Sequence, residues 1–346
     1  MSNYQNQDET RHSLDEIEEA EQEEIRSEQQ KKKKFNLFDR WNREREDAEY
    51  ETPICDEPTL SNFFKLIGRK ISQLFSVNLL IVVGNFPIFF ILLGISGYLS
   101  IHTVQPVYAM FAPLKGAMMF GNSSATAALW TVFSHQTEVT VLTTWDYIVF
   151  GIGALVILTF GPVRVGVTYI LRNIFRGEPV FMIHDFFYAI KRNIRQSIII
   201  GIVDLGVIAL IIYDIVFFNI NYNVSFMMST MFFMSIAFAF IWFFMRPYIY
   251  LQLITFDIGI FKMIKNSFLF TMIGIKRNFM ALLGTVALIA IEYFLLRVYI
   301  PLAMIVPFVI LPSLLIIIGI YAAYPKIKEI MIDPYYSKAN ETQAEE

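Results

Sequence analysis

The chain has 346 residues, of which 55% are hydrophobic and 17% charged, with a formal net charge of −3. Polar residues dominate roughly the first sixty positions and oily ones most of the remainder, which excludes an ordinary water-soluble globular protein and describes a membrane protein with a polar tail. Cys55 is the only cysteine, so an intrachain disulfide and a thiolate metal cluster are excluded too.

Residues 1–60 are expected to form a polar, largely disordered cytoplasmic tail. In "SLDEIEEAEQEEIRSEQQ", Ser13 and Glu16 make a capping box ahead of a segment with too few apolar residues to bury a face. Lys31 to Lys34, followed by Phe35, Phe38 and Trp41, suit anionic headgroups at about 1 kcal/mol per basic residue. A solvated charge run that only enforces topology accounts for them equally well. No short charged start with an early oily core is present, so the first helix is expected to act as its own insertion signal.

A bilayer core of about 30 Å needs roughly 20 apolar residues at about 1.5 Å each. Six stretches meet this: Leu74–Tyr98, Tyr147–Leu171, Ser197–Phe218, Val224–Gln252, Met280–Leu296 and Pro301–Tyr324. They define a transmembrane domain over 61–330, with an extracellular loop at 101–146 and a short cytoplasmic tail at 331–346. The outer loop is long and greasy, and Pro106, Pro113 and Gly121 punctuate it. Neither half is long enough to span, which predicts an outer-surface helix or a re-entrant piece.

Basic residues are retained on the cytoplasmic side, and here they alternate. Lys65, Arg69 and Lys70 precede the first span; Arg172, Arg176, Lys191, Arg192 and Arg195 lie between the second and third; Lys262, Lys265, Lys276 and Arg277 lie between the fourth and fifth; Lys326 and Lys328 follow the last. Both termini are therefore predicted to be cytoplasmic.

The two inner connections each carry an apolar helical stripe, Ile183, Phe186, Phe187, Ile190 and Ile194 in one and Phe261, Ile264, Phe268, Met272 and Ile275 in the other. These are predicted amphipathic cytoplasmic interfacial helices. An offset of about 85 residues relates Pro162 to Pro247 and Lys191-Arg192-Asn193 to Lys276-Arg277-Asn278, as in a duplicated hairpin with parallel copies. Two membrane helices joined by any basic interfacial helix would look alike as well. The fold class expected is an all-α, polytopic integral membrane bundle of about six transmembrane helices.

Counted from the outer start of their spans, Arg164 lies about 25 Å and Arg246 about 33 Å along the axis, near the inner boundary. Both are expected to snorkel among headgroups. Together with Arg172, Arg176, Lys191, Arg192, Arg195, Lys276 and Arg277 they make up a cytoplasmic basic face. Deeper polar groups are Asp204 at about 10 Å, Glu292 at about 18 Å and Asn85 at about 16 Å. Converging, they would suit a substrate, proton or ion; separately, each would hydrogen-bond a neighbouring helix. Gly84 and Pro87 in the first span and Pro307 and Pro312 in the sixth can break those helices. The four histidines are dispersed, and no phosphate-binding glycine loop is present. No catalytic residue, metal or other cofactor is expected.

Asn78 to Leu80, Pro87, Thr159 to Pro162, Tyr169, Arg176 to Glu178 and Asp185 to Asn193 form a series that resembles the YesL-like family of bacterial membrane proteins, domain of unknown function 624. "RPYIYLQLITFDIGIFKMIKNSFLF" resembles that family's later half. The chain departs from the pattern between Pro87 and the glycine-proline turn, where about seventy residues supply the outer loop and an extra crossing. The resemblance implies a multi-pass plasma-membrane protein associated with carbohydrate uptake, and it brings no assigned active site. Two functions follow as expectations: a permease-like or accessory component of solute uptake, or a non-transporting scaffold that recruits cytoplasmic partners or anionic lipids. A membrane enzyme is not expected. The partners expected are the bilayer and a transporter subunit or other membrane protein, with no nucleic acid.

Overall fold

The computed structural model describes residues 59–106 and 136–335, with side chains at 59–102 and 139–335. The expected N-terminal tail, the centre of the outer loop and the last residues of the C-terminal tail lie outside these. All the described helices and strands belong to one unit, built from 53–176 and 180–346.

Helix α1 (Leu60–Gly84) starts at Thr59, whose side chain accepts a hydrogen bond from the Asn62 amide at 3.4 Å. It begins well before the expected Leu74, because Lys65, Arg69 and Lys70 lower the hydropathy of its first turns without lowering helix propensity. It ends at Asn85, and α2 (Pro87–Ile95) follows with proline in its first turn. Pro87 has no N–H to continue the ladder of α1, so the predicted first span is an elbow.

The described ends of the outer loop pair as an antiparallel ladder, β1 (Ile101–Pro106) against β2 (Gln136–Val141), with Ile101 opposite Val141. The greasy stretches between these strands, expected to form an outer-surface helix or a re-entrant piece, lie outside the described residues. Helix α3 (Thr144–Gly153) opens on a capping box in which Asp146 Oδ2 accepts from the Thr143 amide at 2.7 Å and from Ser100 Oγ at 3.1 Å. The chain breaks at Ala154–Leu155, ahead of Pro162, before α4 (Val156–Arg176) resumes.

Helices α5 (Met182–Ile220), α6 (Phe226–Thr255), α7 (Ile260–Ile273) and α8 (Ile275–Val298) complete the repeated part. Within α5, Asn193 has non-helical angles (φ −115°, ψ 17°), and its Nδ2 donates to the Ala189 carbonyl at 3.0 Å. Between α7 and α8 the break falls at Gly274, where Asn278 Nδ2 donates to the Thr271 carbonyl at 3.1 Å and Tyr248 Oη donates to Asn278 Oδ1 at 3.1 Å. The first Lys-Arg-Asn motif thus puts its asparagine at the joint between an amphipathic and a spanning segment, and the second puts its asparagine one turn past the joint, bonded back across it. The order of elements repeats, but the 85-residue register does not hold at their boundaries. Helices α4 and α6 end 79 positions apart, α5 and α7 start 78 apart, and the breaks at Asn193 and Gly274 lie 81 apart.

The predicted stripes of these segments largely face outward. Ile183, Phe187, Ile194, Phe261, Phe268, Met272 and Ile275 are exposed, whereas Asp185, Phe186, Ala189, Met263, Ser267 and Phe270 are buried. In a bilayer the outer surface is itself apolar, so the oily side of a helix need not mark the core, and polar groups turn inward to find partners.

The expected sixth span is a broken pair, α9 (Ile300–Val309) and α10 (Leu311–Ile327), bent by 52° at Ile310 and followed by a π-turn at Lys328–Ile332. Asn78, fully buried on α1, fills the break. Pro312 cannot donate to the Phe308 carbonyl, and Asn78 Nδ2 does so instead at 2.7 Å, while Asn78 Oδ1 accepts from the Ser313 amide at 3.1 Å. Among the described residues, five helical stretches are long and apolar enough to cross a membrane, with α3 and α4 together counted as one, and six if the bent pair also counts as one span. The described residues therefore form a nearly all-α, membrane-embedded bundle. Its core joins α1, α4, α5, α6 and α10 through Leu74, Val165, Ile170, Ile200, Leu251 and Ile317.

Candidate functional site

The backbones of α4 and α5 meet at Gly161 and Gly201. A Cβ on Gly161 would overlap the Ser197 carbonyl oxygen, and one on Gly201 would come within 2.6 Å of the Gly161 amide nitrogen. Without a hydrophobic drive between lipid-bathed helices, small residues that allow such close approach hold them together.

One turn beyond this crossing, Asp204 points from α5 toward α6 and is only 2% exposed. Trp242, Arg246 and Tyr250 recur every four residues on α6 and so share the face opposite it. All three donate to its carboxylate: Trp242 Nε1 to Oδ1 at 3.0 Å, Arg246 Nε and Nη2 to Oδ2 at 3.1 and 3.0 Å, and Tyr250 Oη to Oδ2 at 2.8 Å. The recess around the carboxylate has no room for water. A buried charge paired with an arginine and hydrogen-bonded at both oxygens is a structural clasp between helices.

Arg246 is therefore turned into the bundle instead of snorkelling outward, and Arg164 is turned inward as well. Arg164 lies over the Tyr250 ring at 5.6 Å, and its Nε is buried without a hydrogen-bond partner. Counting from the basic helix ends gives the reason. Arg164 is 12 residues above Arg176, Arg246 is 9 above Thr255 and Asp204 is 11 above Asn193, so all three stand about 14 to 18 Å from those ends, level with one another.

The three predicted intramembrane polar residues do not share a site. Asp204 has the partners just described. Asn85 stands at the α1–α2 elbow, its Nδ2 donating to the Ile81 carbonyl at 3.1 Å and its Oδ1 buried without a partner. It lines an open groove of about 440 Å³ together with Arg164, and every other lining residue is apolar, including Phe89, Val163, Phe308 and Leu315. Glu292 is on α8, partly buried, with Oε2 lacking a partner.

At the basic end, Arg172 is buried. It donates to Asn173 Oδ1 and to Thr255 Oγ1 at 3.3 Å and lies over the Tyr169 ring at 4.8 Å, tying α4 to α6. Arg176, Lys191, Arg192, Arg195 and Lys276 are exposed and Arg277 partly so. Lys191, Arg192 and Arg195 rim a recess of about 560 Å³ floored by Leu253 and Phe256, with Asp257 at its edge. Among the described residues no three His, Cys, Asp or Glu side chains gather where they could hold a metal.

Residues 140–215, from β2 into α5, match the family model described as protein of unknown function, DUF624. The match covers less than a quarter of the chain, and over that stretch the chain is similar to this family. No curated protein and no solved structure matches it significantly. The DUF624 segment contains the Gly161–Gly201 crossing and Asp204, while the donors that satisfy Asp204 lie beyond it on α6.

Sequence reasoning missed Asn78 and the donors Trp242 and Tyr250. The spacing of Trp242, Arg246 and Tyr250 within an oily helix was the available signal for the latter pair. Pro312, which leaves the Phe308 carbonyl without its helical donor, was the signal that a side chain from elsewhere must supply one.

Proposed function

We propose that this membrane protein serves solute uptake, by its family resemblance that of carbohydrates, as an accessory component of the plasma membrane. It acts by association and does not carry the solute through its own bundle. The observation behind this reading is the closed state of Asp204, whose oxygens are all engaged in a recess with no space for water. A permease built on this charge would need it open to one side in turn.

Association is assigned to the basic end, which faces the cytoplasm with both termini. Lys191, Arg192 and Arg195 stand exposed around a recess with an apolar floor, and none of them has an ion pair among the described residues. That suits an acidic surface on a cytoplasmic or membrane partner better than a free solute. Its role is non-enzymatic.

Purification from native membranes in mild detergent should recover importer subunits with the chain. Lys191→Glu combined with Arg192→Glu and Arg195→Glu should lose them while the bundle stays folded. Sugar flux into vesicles reconstituted with this chain alone would sink the proposal.

A further inference from the structure

The charged cluster inside the bundle does not balance. Arg164 and Arg246 bring two positive charges, and Asp204 is the one carboxylate that acts on Arg164 among the described residues. Asp204 is already engaged by both Nε and Nη2 of Arg246 and by Tyr250. The excess charge belongs to Arg164, which among the described residues has no acceptor for its buried Nε and no ion pair of its own. An isolated guanidinium among apolar helices is unfavourable and is tolerated when an anion or water reaches it.

Arg164 also lines the groove of about 440 Å³ bounded by the α1–α2 elbow, α4 and the broken α9–α10 pair. Its walls include Ile88, Phe89, Val163, Phe308 and Leu315. Such walls repel a hydrated inorganic ion and match an acyl chain. Asn85 Oδ1, the second buried polar atom there without a partner, would receive a hydroxyl or protonated acid oxygen.

We infer that this groove is a binding site for an anionic membrane lipid, with the acidic group against the Arg164 guanidinium and a chain along the apolar wall. The lipid supplies the missing negative charge and covers a wall otherwise left between the elbow and the broken helix. The site lies apart from the Lys191–Arg195 recess and does not depend on the association proposed above.

The test uses the full chain in detergent, stripped of lipid, with phosphatidylglycerol or phosphatidylcholine added back. Thermal unfolding and native mass spectrometry provide the readouts. Phosphatidylglycerol should be retained and raise the unfolding midpoint, whereas phosphatidylcholine and inorganic phosphate should not. Arg164→Gln should weaken phosphatidylglycerol binding at least tenfold. Ile88→Trp, at the exposed lip of the groove, should do the same without touching the charged cluster, which guards against misfolding of the arginine variant. The triple glutamine variant at Lys191, Arg192 and Arg195 should keep the shift. An equal shift with inorganic phosphate, an unchanged shift in both groove variants, or loss of the shift only in the triple variant would overturn the inference.

Discussion

Arg246 on α6 reaches across to Asp204 on α5 with two nitrogens, 3.0 and 3.1 Å from one carboxylate oxygen. The two residues are 42 positions apart and belong to separate helices. Removing one partner strands the other inside the bundle, typically at a cost of about 3–5 kcal/mol. Asp204→Ala should therefore lower stability in detergent by about that amount, and Arg246→Leu alone by a similar one. Because the second change relieves the stranded charge, the double variant should recover much of the loss; a double-mutant cycle of thermal or denaturant unfolding measures this. Strictly additive losses would show that the two side chains are not coupled.

The Gly161–Gly201 crossing leaves no space for even one methyl group. Gly161→Ala should force α4 from α5 and destabilise by about 1–3 kcal/mol, the usual penalty for overpacking. Gly206→Ala, on the same α5 but with nothing within 4 Å of the new carbon, should be neutral or stabilising by up to about 1 kcal/mol through helix propensity. Unfolding midpoints of the two variants, compared side by side, decide the matter.

Asn78 supplies the donor that Pro312 lacks. Asn78→Leu leaves the Phe308 carbonyl and the Ser313 amide unpaired, at a cost of about 1–3 kcal/mol for each buried polar group left unsatisfied. Amide exchange should rise locally around Ser313 and leave the α4–α5 crossing protected. An unaltered exchange pattern near Ser313 would mean that the asparagine does not hold the break.

Orientation can be read with a single cysteine, since Cys55 is the only native one and Cys55→Ser clears the background. Arg192 and Ile220 are both exposed, near opposite ends of the spanning part of α5. An impermeant thiol reagent applied to intact cells should label Ile220→Cys and spare Arg192→Cys until the membrane is permeabilised. The reverse pattern would invert the topology.

The existence of the spans was legible because roughly 20 apolar residues in a row have few other uses. Their interruptions were legible only as the residues that allow them. Pro87, Pro307 and Pro312 mark where a ladder can fail, but the side chain that repairs it, Asn78, comes from another helix and has no local signature. The Asp204–Arg246 pair was hidden by the choice of origin: measured from the start of its span Arg246 falls at the interface, and measured from Thr255 it falls level with Asp204. The stripes of α7 and of the first turns of α5 were legible as stripes, but the rule that oil points to the core belongs to water and fails where the surroundings are oil too.

Helix α6 runs for 30 residues, about 45 Å, against an apolar layer of about 30 Å. Tilting or protrusion must absorb the excess. Its cap Ser225 and the early Ser229 and Thr230 bond through their hydroxyls to nearby backbone, and its last residue, Thr255, is tethered to Arg172. With one end pinned, a change in bilayer thickness is taken up at the serine-rich end, so the two faces of this protein feel membrane strain unequally.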